Sequence, residues 1–308
     1  MKILLTGASS FTGTWFAREL AAAGHHVVAP LRGAGGSYEG LRARRVGQLQ
    51  QCSEIVWSAP FGEARFLDVI AAQSFDLLCH HAARVTGYRS PDFDVAAALA
   101  ENTRELPRVL RTMREKGMRG VVLTGSVFEA EEGAGNRPLR AFSPYGVSKG
   151  ITAQVASYWC SVLEAPLGKF VIPNPFGPFE EPRFCSFLIK TWREGKAAEV
   201  RTPDYVRDNI HVDLLARVYA AFAATTAGST GFSRANPSGY VETQGAFAQR
   251  FASEVGPRLS LDAGIVLATQ TDFSEPLARH NTEPAAAAGW SESRAWDEIA
   301  AFYREMPR

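Results

Sequence analysis

A tyrosine and a lysine four residues apart, Tyr145 and Lys149, lie in the segment "SPYGVSK" at the start of a predicted helix. Residues at this spacing share one side of a helix. A phenol with an ordinary pKa near ~10 is a poor base at neutral pH, but a neighbouring lysine cation favours the phenolate. The pair therefore predicts a group that exchanges a proton with an oxygen atom of a bound molecule.

A glycine-rich stretch, "TGASSFTG" (6–13), follows the apolar run "KILLT" and precedes a predicted helix. Gly7 and Gly13 bracket a turn in which glycine permits positive φ and close approach of a ligand. The helix that starts near Phe11 would point its free N–H groups at a pyrophosphate. This placement predicts a dinucleotide-binding loop. Ser10 stands where such loops usually have glycine, and we expect binding to survive, with the serine hydroxyl helping to hold a phosphate.

The end of the second predicted strand bears on which dinucleotide is bound. An acidic residue there would bond the ribose 2′-hydroxyl of NAD, whereas this chain has Leu31 and then Arg32. An arginine suits the additional 2′-phosphate of NADP. We therefore predict NADP, with NAD as the alternative and a merely exposed Arg32 as the simplest competing explanation.

The elements that must position these residues alternate along the first half of the chain. Short apolar runs predict strands at 2–6, 26–31, 54–57, 75–80, 120–124 and 169–172. Amphipathic segments predict helices at 11–23, about 62–73, 92–116 and 144–164. Strand–helix alternation is typical of a parallel sheet covered on both faces. We predict an α/β fold, with a Rossmann-type doubly wound sheet over residues 1–172.

After residue 172 the proline-rich and aromatic segment "IPNPFGPFEEPRF" ends the regular alternation. Helices are predicted at about 184–195, 212–225, 243–255 and 292–305, with strand-like pieces near 198–202 and 231–235. Residues 173–308 thus predict a smaller C-terminal α/β substrate domain that closes over the carboxyl ends of the sheet. The helix near 212–225 is expected to pack back on the first domain.

Composition narrows the classes of function. The 308 residues carry a formal net charge of +1, with 46% apolar and 21% charged residues. This balance argues against nucleic-acid or membrane partners. The four cysteines form no CxxC pair, so no metal site is predicted. Without a signal peptide or an apolar stretch near ~20 residues, we expect a cytoplasmic protein.

Taken together, these motifs resemble the extended short-chain dehydrogenase/reductase family, and the resemblance covers nearly the whole chain. Its nucleotide-sugar epimerases, dehydratases and ketoreductases are the nearest in pattern. "TGASSFTG" looks like the family's TGxxGFxG, with Ser10 as the departure, and "DLLCHHAA" (76–83) is similar to its DxVxHxAA. "PNPFGP" (173–178), "VRDNIHVDLLA" (206–216) and "AAAAGW" (285–290) resemble its later motifs.

The resemblance implies which residues contact the cofactor. They are Gly7, Ser10, Phe11, Thr12, Gly13, Arg32, His81, Ala82, Ala83, Asn102, Tyr145, Lys149 and Pro173. The preceding residue, His80, is interpreted as a hydrogen-bonded structural residue.

The resemblance also places a catalytic hydroxyl four residues before the aromatic residue of a "VYG"-like stretch, here Val127-Phe128-Glu129. That position is Thr124, and Ser126 is the competing choice. Either hydroxyl could hold a substrate carbonyl oxygen for Tyr145. Turn chemistry at a strand end is the simpler explanation, and it fits Ser126 better than Thr124. The family's dehydratases have Asp-Glu directly after the threonine, where this chain has Gly125 and Ser126. Elimination of water, as in a 4,6-dehydratase, is therefore not expected.

Substrate contacts are implied at Asn174 and at Arg207, the latter where the family grips a nucleotide diphosphate. A surface salt bridge from Arg207 to Asp208 or Asp204 is the alternative. Further substrate contacts are hypothesised at three positions: Arg84, Arg183 and Phe187.

The expected activity is NADPH-dependent reduction of a keto group of a nucleotide-linked deoxysugar, with Tyr145 as proton donor. A nucleotide-sugar 4-epimerase that retains NAD(P) is the first alternative. A reductase of a non-sugar carbonyl and a non-catalytic NADP-binding sensor are the others. The family's four-helix interface implies a homodimer through the helices near 92–116 and 144–164.

Overall fold

The computed structural model describes residues 1–135 and 139–306. Its first half alternates strands and helices. In chain order these are β1 (Lys2–Thr6), α1 (Phe11–Ala22), β2 (His26–Pro30), α2 (Gly40–Cys52), β3 (Glu54–Val56), α3 (Ala64–Ala72), β4 (Leu77–His80), α4 (Val95–Asn102), α5 (Leu106–Glu115), β5 (Gly120–Ser126), α6 (Pro144–Val162) and β6 (Leu167–Ile172).

The second half has shorter strands between its helices. It contains β7 (Asn174–Phe176), α7 (Phe184–Arg193), β8 (Ala198–Val200), β9 (Val206–His211), α8 (Val212–Thr226), β10 (Phe232–Ala235), β11 (Pro237–Ser238), β12 (Tyr240–Thr243), α9 (Gln244–Leu259), β13 (Ile265–Leu267), β14 (Ala278–Arg279), β15 (Glu283–Pro284) and α10 (Glu292–Glu305).

A parallel sheet of seven described strands has the order β10-β6-β5-β4-β1-β2-β3. The chain starts in the middle at β1, winds out through β2 and β3, and returns to continue through β4, β5 and β6. The predicted Rossmann-type doubly wound fold is thereby confirmed. The order reverses between β1 and β4, where Thr6 is in register with His80. Ligands of such sheets bind outside the carboxyl ends of the strands at this point.

Residues of the described chain form two compact units. The first comprises 1–132, 140–172 and 216–236, and the remaining described residues form the second. The two units therefore interleave along the sequence. From Ala216 onward, α8 belongs to the first unit, where Tyr219 stacks on Phe16 at 3.8 Å between ring centroids and meets the edge of Phe170 at 5.0 Å.

The core of the first unit lies between the sheet and its helices. Leu4, Val28, Leu78 and Val121 come from four adjacent strands, and each is at most 2% exposed. Strands of a parallel sheet are apolar on both faces because helices cover both. This accounts for the continuous apolar runs in the sequence.

Serine caps start the two helices that carry the predicted site. Ser10 accepts the Gly13 N–H at the start of α1, and Ser143 accepts the Gly146 N–H at the start of α6. Such side chains satisfy N–H groups that the first helical turn leaves unbonded. Pro144 follows Ser143 in the first turn, where its missing N–H costs nothing.

In the second unit, β9 is the central strand of a small sheet. It pairs antiparallel with β12 and parallel with β14 and β7. Beside this sheet, the aromatic rings of Phe176, His211, Phe251 and Trp296 pack together. Burial lowers the pKa of His211 to about 3, so its ring is a neutral core group.

Two helix assignments differ from the sequence-based expectation. The single helix predicted over 92–116 is divided into α4 and α5, because Glu105 takes a left-handed φ of 52° and Pro107 opens the next helix. Helix α2 was not among the predicted helices, and its Arg45 is only 3% exposed. Its Nε donates to the Ser9 carbonyl at 3.0 Å.

Among the helices of the described residues, none is both long and apolar enough to cross a membrane.

Candidate active site

The glycine-rich loop between β1 and α1 is held by its own side chains. Ser10 Oγ donates to the Gly7 carbonyl at 2.9 Å and accepts the Gly13 N–H at 3.1 Å. Ser10 itself has ordinary extended backbone (φ −76°, ψ 168°), so serine is unstrained there. Gly7 has φ +72°, and a Cβ on it would lie 2.7 Å from the Ala82 nitrogen. The loop therefore needs glycine at position 7 but accommodates serine at position 10.

The segment after β4 lies against this loop. Thr6 Oγ1 accepts the N–H groups of His81 and Ala82 at 3.1 and 3.0 Å. His80 is 2% exposed, and its Nδ1 lies 3.0 Å from Thr6 Oγ1. Its Nε2 lies 2.9 Å from the Asn102 carbonyl oxygen. Burial lowers the pKa of His80 to about 4, so the ring links β4 to α4 without acting as a base near neutral pH.

His81 joins the loop to β5. Its Nε2 lies 3.0 Å from Thr12 Oγ1 and 3.1 Å from Ser10 Oγ, and its Nδ1 lies 3.0 Å from Thr124 Oγ1. Phe16 meets the ring edge-on at 5.1 Å between centroids. The pKa of His81 is lowered to about 3, mainly by burial and to a smaller extent by the positive charge of Lys149. The ring is therefore neutral at physiological pH.

Lys149 and Thr124 meet between α6 and β5. The Lys149 ammonium donates to the Thr124 main-chain oxygen, and both residues are at most 4% exposed. Burial lowers the pKa of Lys149, and the nearby Glu129 carboxylate acts in the opposite direction. Tyr145, in the first turn of the same helix, is flanked edge-on by Tyr88 and Phe93 at 5.7 and 5.9 Å.

Ser126 lies at the end of β5 and takes part in the turn that follows. Its Oγ accepts the Phe128 N–H at 3.2 Å, and its own N–H donates to Glu129 Oε1 at 2.7 Å. Lys169 bridges Glu129 and Glu132 at 2.6 and 2.7 Å. This buried ion network was not predicted, because it joins β6 to residues well before it in the chain.

Beyond β2, Arg32 and Arg84 share one carboxylate. Arg84 lies 2.8 Å from Glu101, whereas the Arg32 guanidinium is 3.8 Å away and 75% exposed. Leu31 is only 2% exposed.

Asn102, also buried, accepts the Arg84 N–H at 2.9 Å and donates to Thr152 at 3.2 Å. Its amide thus fixes the segment after β4 to α6.

In the second unit, two expected substrate residues lie on adjacent strands. Asn174 on β7 donates to the Asp208 carbonyl of β9 at 3.2 Å. Arg207 on β9 pairs with Glu275 at 2.6 Å and donates to the Pro276 carbonyl at 3.0 Å. The salt-bridge partner is therefore Glu275, and not the Asp208 or Asp204 considered from the sequence. The Asp208 carboxylate instead accepts backbone N–H groups within the fold.

Three more of the implied residues follow β6. Pro173 precedes β7, and Arg183 lies at the N-terminus of α7, where its main-chain N–H donates to Ser186 Oγ at 2.8 Å. Phe187 is 45% exposed on the same helix.

Of the residues predicted from the sequence, the structure brings Gly7, Ser10, His81, Thr124 and Lys149 together in the first unit.

A model of the NAD-dependent epimerase/dehydratase family matches residues 3–231, which is well over half of the 308-residue chain. The chain belongs to that family. The resemblance to extended short-chain dehydrogenase/reductases and the assignment as an enzyme of this class are confirmed. No curated protein matches the chain significantly.

Solved structures similar to this epimerase/dehydratase-family enzyme extend over its whole length. UDP-glucose 4-epimerase from Thermotoga maritima, bound to UDP-glucose, is 16% identical over 99% of both chains, with a TM-score of 0.71. UDP-glucuronic acid 4-epimerase from Bacillus cereus, with UDP-glucuronic acid and NAD, is 18% identical over 99% of both chains, with a TM-score of 0.73. dTDP-glucose 4,6-dehydratase from Bacillus anthracis, with NAD, is 16% identical over 99% and 97% of the two chains, with a TM-score of 0.73. These likenesses show the fold.

The loop of this family member fits a dinucleotide. A Cβ on Gly13 would lie 2.8 Å from Ser10 Oγ, so the turn leaves no room for a larger residue there. The first N–H groups of α1 lack carbonyl partners within the helix and carry its positive dipole end. No cluster of three metal-ligating side chains occurs among residues 1–135 and 139–306.

Proposed function

We propose that this enzyme epimerises a nucleotide-linked sugar, by oxidising a hydroxyl-bearing carbon and reducing the resulting keto group from the opposite face. The observation that carries the proposal is the Lys149–Thr124 contact, on the helix that also presents Tyr145 and beside the glycine-rich loop. The epimerases of similar fold bind UDP-glucose or UDP-glucuronic acid, which supports a nucleotide sugar as the substrate class. C4 is the proposed reacting carbon.

Proton transfer is assigned to Tyr145. A bound dinucleotide supplies the hydride acceptor and donor. Lys149, held by the Thr124 carbonyl, places a cation near the start of α6, and a cation favours the phenolate form of tyrosine. The phenolate accepts the hydroxyl proton during oxidation and returns it during reduction. The Thr124 hydroxyl holds the substrate oxygen.

The nucleotide diphosphate is proposed to bind arginines, because a guanidinium offers two parallel donors to phosphate oxygens. Arg207 and Arg84 are both held by carboxylates, Glu275 and Glu101, which orient each guanidinium. Asn174, Arg183 and Phe187 remain proposed contacts for the sugar and the base.

The cofactor proposal keeps NADP ahead of NAD, although structures of similar fold contain NAD. Leu31 is buried and cannot bond a ribose hydroxyl, and Arg32 follows it with an exposed guanidinium. A 2′-phosphate would compete with Glu101 for that guanidinium. The proposed remaining cofactor contacts are Gly7, Ser10, Phe11, Thr12, Gly13, His81, Ala82, Ala83, Asn102, Tyr145, Lys149 and Pro173.

The buried Leu31 and the exposed Arg32 favour a second candidate, an NADPH-dependent ketoreductase acting on a nucleotide-linked deoxysugar. A reductase must exchange oxidised for reduced cofactor in each turnover, and NADPH drives reduction in cells. Tyr145, Lys149 and Thr124 would act in the same way. A non-sugar carbonyl is the alternative substrate for such a reductase, whereas the intact Tyr145 and Lys149 argue against a non-catalytic sensor.

One experiment separates the two reactions. Purified protein is gel-filtered, denatured and analysed for released dinucleotide. The native protein is then incubated with UDP-glucose or UDP-glucuronic acid, and separately with NADPH and nucleotide-linked 4-keto-6-deoxysugars. Retained cofactor and interconversion of two epimers without net redox change support the epimerase. Stoichiometric NADPH oxidation by cofactor-free protein supports the reductase instead. Tyr145→Phe protein serves as the inactive control in both arms.

A homodimer through α6 and the α4–α5 segment is also proposed. Val147, Tyr158 and Val162 on α6 are 39%, 61% and 54% exposed, and their spacing places them on one side of the helix. Light scattering at micromolar concentration is expected to show a dimer. Tyr158→Glu combined with Val162→Lys should give a monomer, and a monomeric parent protein would rule the interface out.

A further inference from the structure

His81 connects two parts of the site, the cofactor loop and the end of β5. One ring nitrogen contacts the hydroxyls of Ser10 and Thr12 in the cofactor loop, and the other contacts the hydroxyl of Thr124. All three distances lie between 3.0 and 3.1 Å, within hydrogen-bonding range. The ring is held from the side by Phe16.

Counting protons limits what these contacts can be. A neutral imidazole has one N–H and one bare nitrogen, so it donates at one end and accepts at the other. Ser10 already uses its only proton on the Gly7 carbonyl and accepts the Gly13 N–H. Towards His81 it can therefore only accept, and where Nε2 is bare its 3.1 Å approach to that nitrogen is a packing contact and not a hydrogen bond. Thr12 lies slightly closer to Nε2 and can donate its proton to that nitrogen.

The two tautomers have opposite consequences for Thr124. If Nε2 carries the proton, Nδ1 is bare, and Thr124 must donate its own proton to the ring. Its hydroxyl could then no longer donate to a substrate oxygen. If Nδ1 carries the proton, it donates to Thr124 Oγ1, and the Thr124 proton is available to a substrate oxygen or to the buried Tyr219 hydroxyl beside it.

We propose that His81 is a positioning residue whose Nδ1–H donates to Thr124 while Nε2 accepts from Thr12, leaving the Thr124 proton for the substrate oxygen. The inference rests on the proposed role of Thr124 as a donor. It makes the orientation of that hydroxyl depend on Thr12, a residue of the cofactor loop. Thr12→Val should therefore lower turnover through the His81 tautomer as well as through any loss of cofactor binding.

The tautomer can be measured without turnover. In protein labelled with ¹⁵N-histidine, two-bond ¹H–¹⁵N correlations distinguish Nδ1–H from Nε2–H, and the His81→Asn variant assigns the signal. We expect Nδ1–H in the parent protein and in Thr12→Ser, which keeps the hydroxyl. Thr12→Val should shift the population towards Nε2–H. An Nε2–H ring in the parent protein overturns the proposal.

Kinetics of matched variants supply the second arm. The asparagine amide of His81→Asn can reach the place of Nδ1 and donate to Thr124, whereas His81→Leu cannot. We expect His81→Leu to lower kcat by ~10-fold or more, short of the ~10²–10³-fold loss seen when a donor to a reacting oxygen is itself removed. His81→Asn should recover most of that loss. Dinucleotide Kd from fluorescence titration should change less than kcat in both variants.

A double variant tests whether the effect passes through Thr124. In Thr124→Ala protein, adding His81→Leu should cost little more, because coupled residues are not additive. Full additivity, or a change in Kd or stability with kcat unchanged, overturns the positioning role. If the parent protein turns over no sugar nucleotide, the proposed function fails, while the ¹⁵N measurement still decides the tautomer.

Discussion

Lys149 donates its ammonium group to the main-chain oxygen of Thr124. The contact fixes α6 to the end of β5 and sets a cation one helical turn after Tyr145. Because Lys149 is buried, its position is determined by the fold rather than by solvent.

Tyr145→Phe should leave dinucleotide binding nearly unchanged and lower kcat by ~10²–10⁴-fold, the usual contribution of general acid–base transfer. The change removes only the phenolic oxygen and keeps the ring between Tyr88 and Phe93. Steady-state turnover and fluorescence titration with NADPH measure the two effects. Tyr158→Phe, on the same helix but in the proposed dimer interface, keeps its ring and is the matched control. Near-parent activity in Tyr145→Phe would show that the assignment is wrong.

Thr124→Ala should reduce kcat by ~10²-fold or more if its hydroxyl bonds the reacting oxygen. Ser126→Ala should have a much smaller effect, because the Ser126 hydroxyl accepts the Phe128 N–H in a turn. Comparison of kcat for the two variants, with thermal unfolding to verify folding, tests this assignment. The reverse order of effects would make Ser126 the acting hydroxyl.

Arg32→Ala should weaken NADPH binding by ~10-fold or more, since bonds to charged groups contribute about 1.5–3 kcal/mol, and should affect NADH little. Glu101→Gln should strengthen NADPH binding, because it removes the carboxylate that faces Arg32. Binding constants for both cofactors are measured by fluorescence titration. Arg104→Ala, at an arginine paired with Glu63, is the control. Equal losses for both cofactors, or tighter NADH binding by the parent protein, would exclude an NADP preference.

The stability of the protein should fall on acidification between about pH 6.5 and pH 4. Burial lowers the pKa of His80 to about 4 and those of His81 and His211 to about 3. Below pH 6.5 the unfolded chain binds protons at these histidines while the folded rings stay neutral, so protons favour unfolding. Each such histidine contributes a slope of about 1.4 kcal/mol per pH unit to the free energy of unfolding.

Glu180 acts in the opposite direction, because burial raises its pKa to about 8. Its carboxyl stays protonated in the folded protein above pH 4.5, so its contribution to stability decreases as the pH rises from there to about 8. Urea unfolding at several pH values measures the net slope. Glu180→Gln should make the acid-side loss steeper, and His211→Gln should make it shallower.

Local patterns were sufficient to predict most of the first unit. The apolar runs that give β1, β2 and β4 are buried on both faces, so the sequence alone identifies them as strands before their pairing partners are known. Helix α2 lacks that signal, because "GLRARRVGQLQQC" is mostly polar, and its buried Arg45 donates to the distant Ser9 carbonyl. The strands of the second unit are only two to six residues long and owe their pairing to distant segments.

The site was partly predictable for the same reason. Tyr145 and Lys149 lie within one helical turn, so their spacing alone places them together. The contact between His81 and Thr124 joins residues 43 positions apart. It depends on the register in which His80 of β4 faces Leu123 of β5. That register follows from the pairing of whole strands, and no local motif encodes it.

The outer strand β10 has a consequence for how the polypeptide matures during synthesis. β6 pairs with β5 on one side and with β10 on the other, yet β10 is not translated until residue 235. Until then β6 is an open edge with unpaired N–H and C=O groups, a template for pairing with another chain. The space beside Gly168 of β6 also stays unfilled until α8 is made, because Phe222 and Thr226 of that helix occupy it in the folded protein. The nascent protein therefore exposes this edge to pairing with other chains until β10 has been synthesised, and a chain cut after residue 172 would keep that edge permanently open.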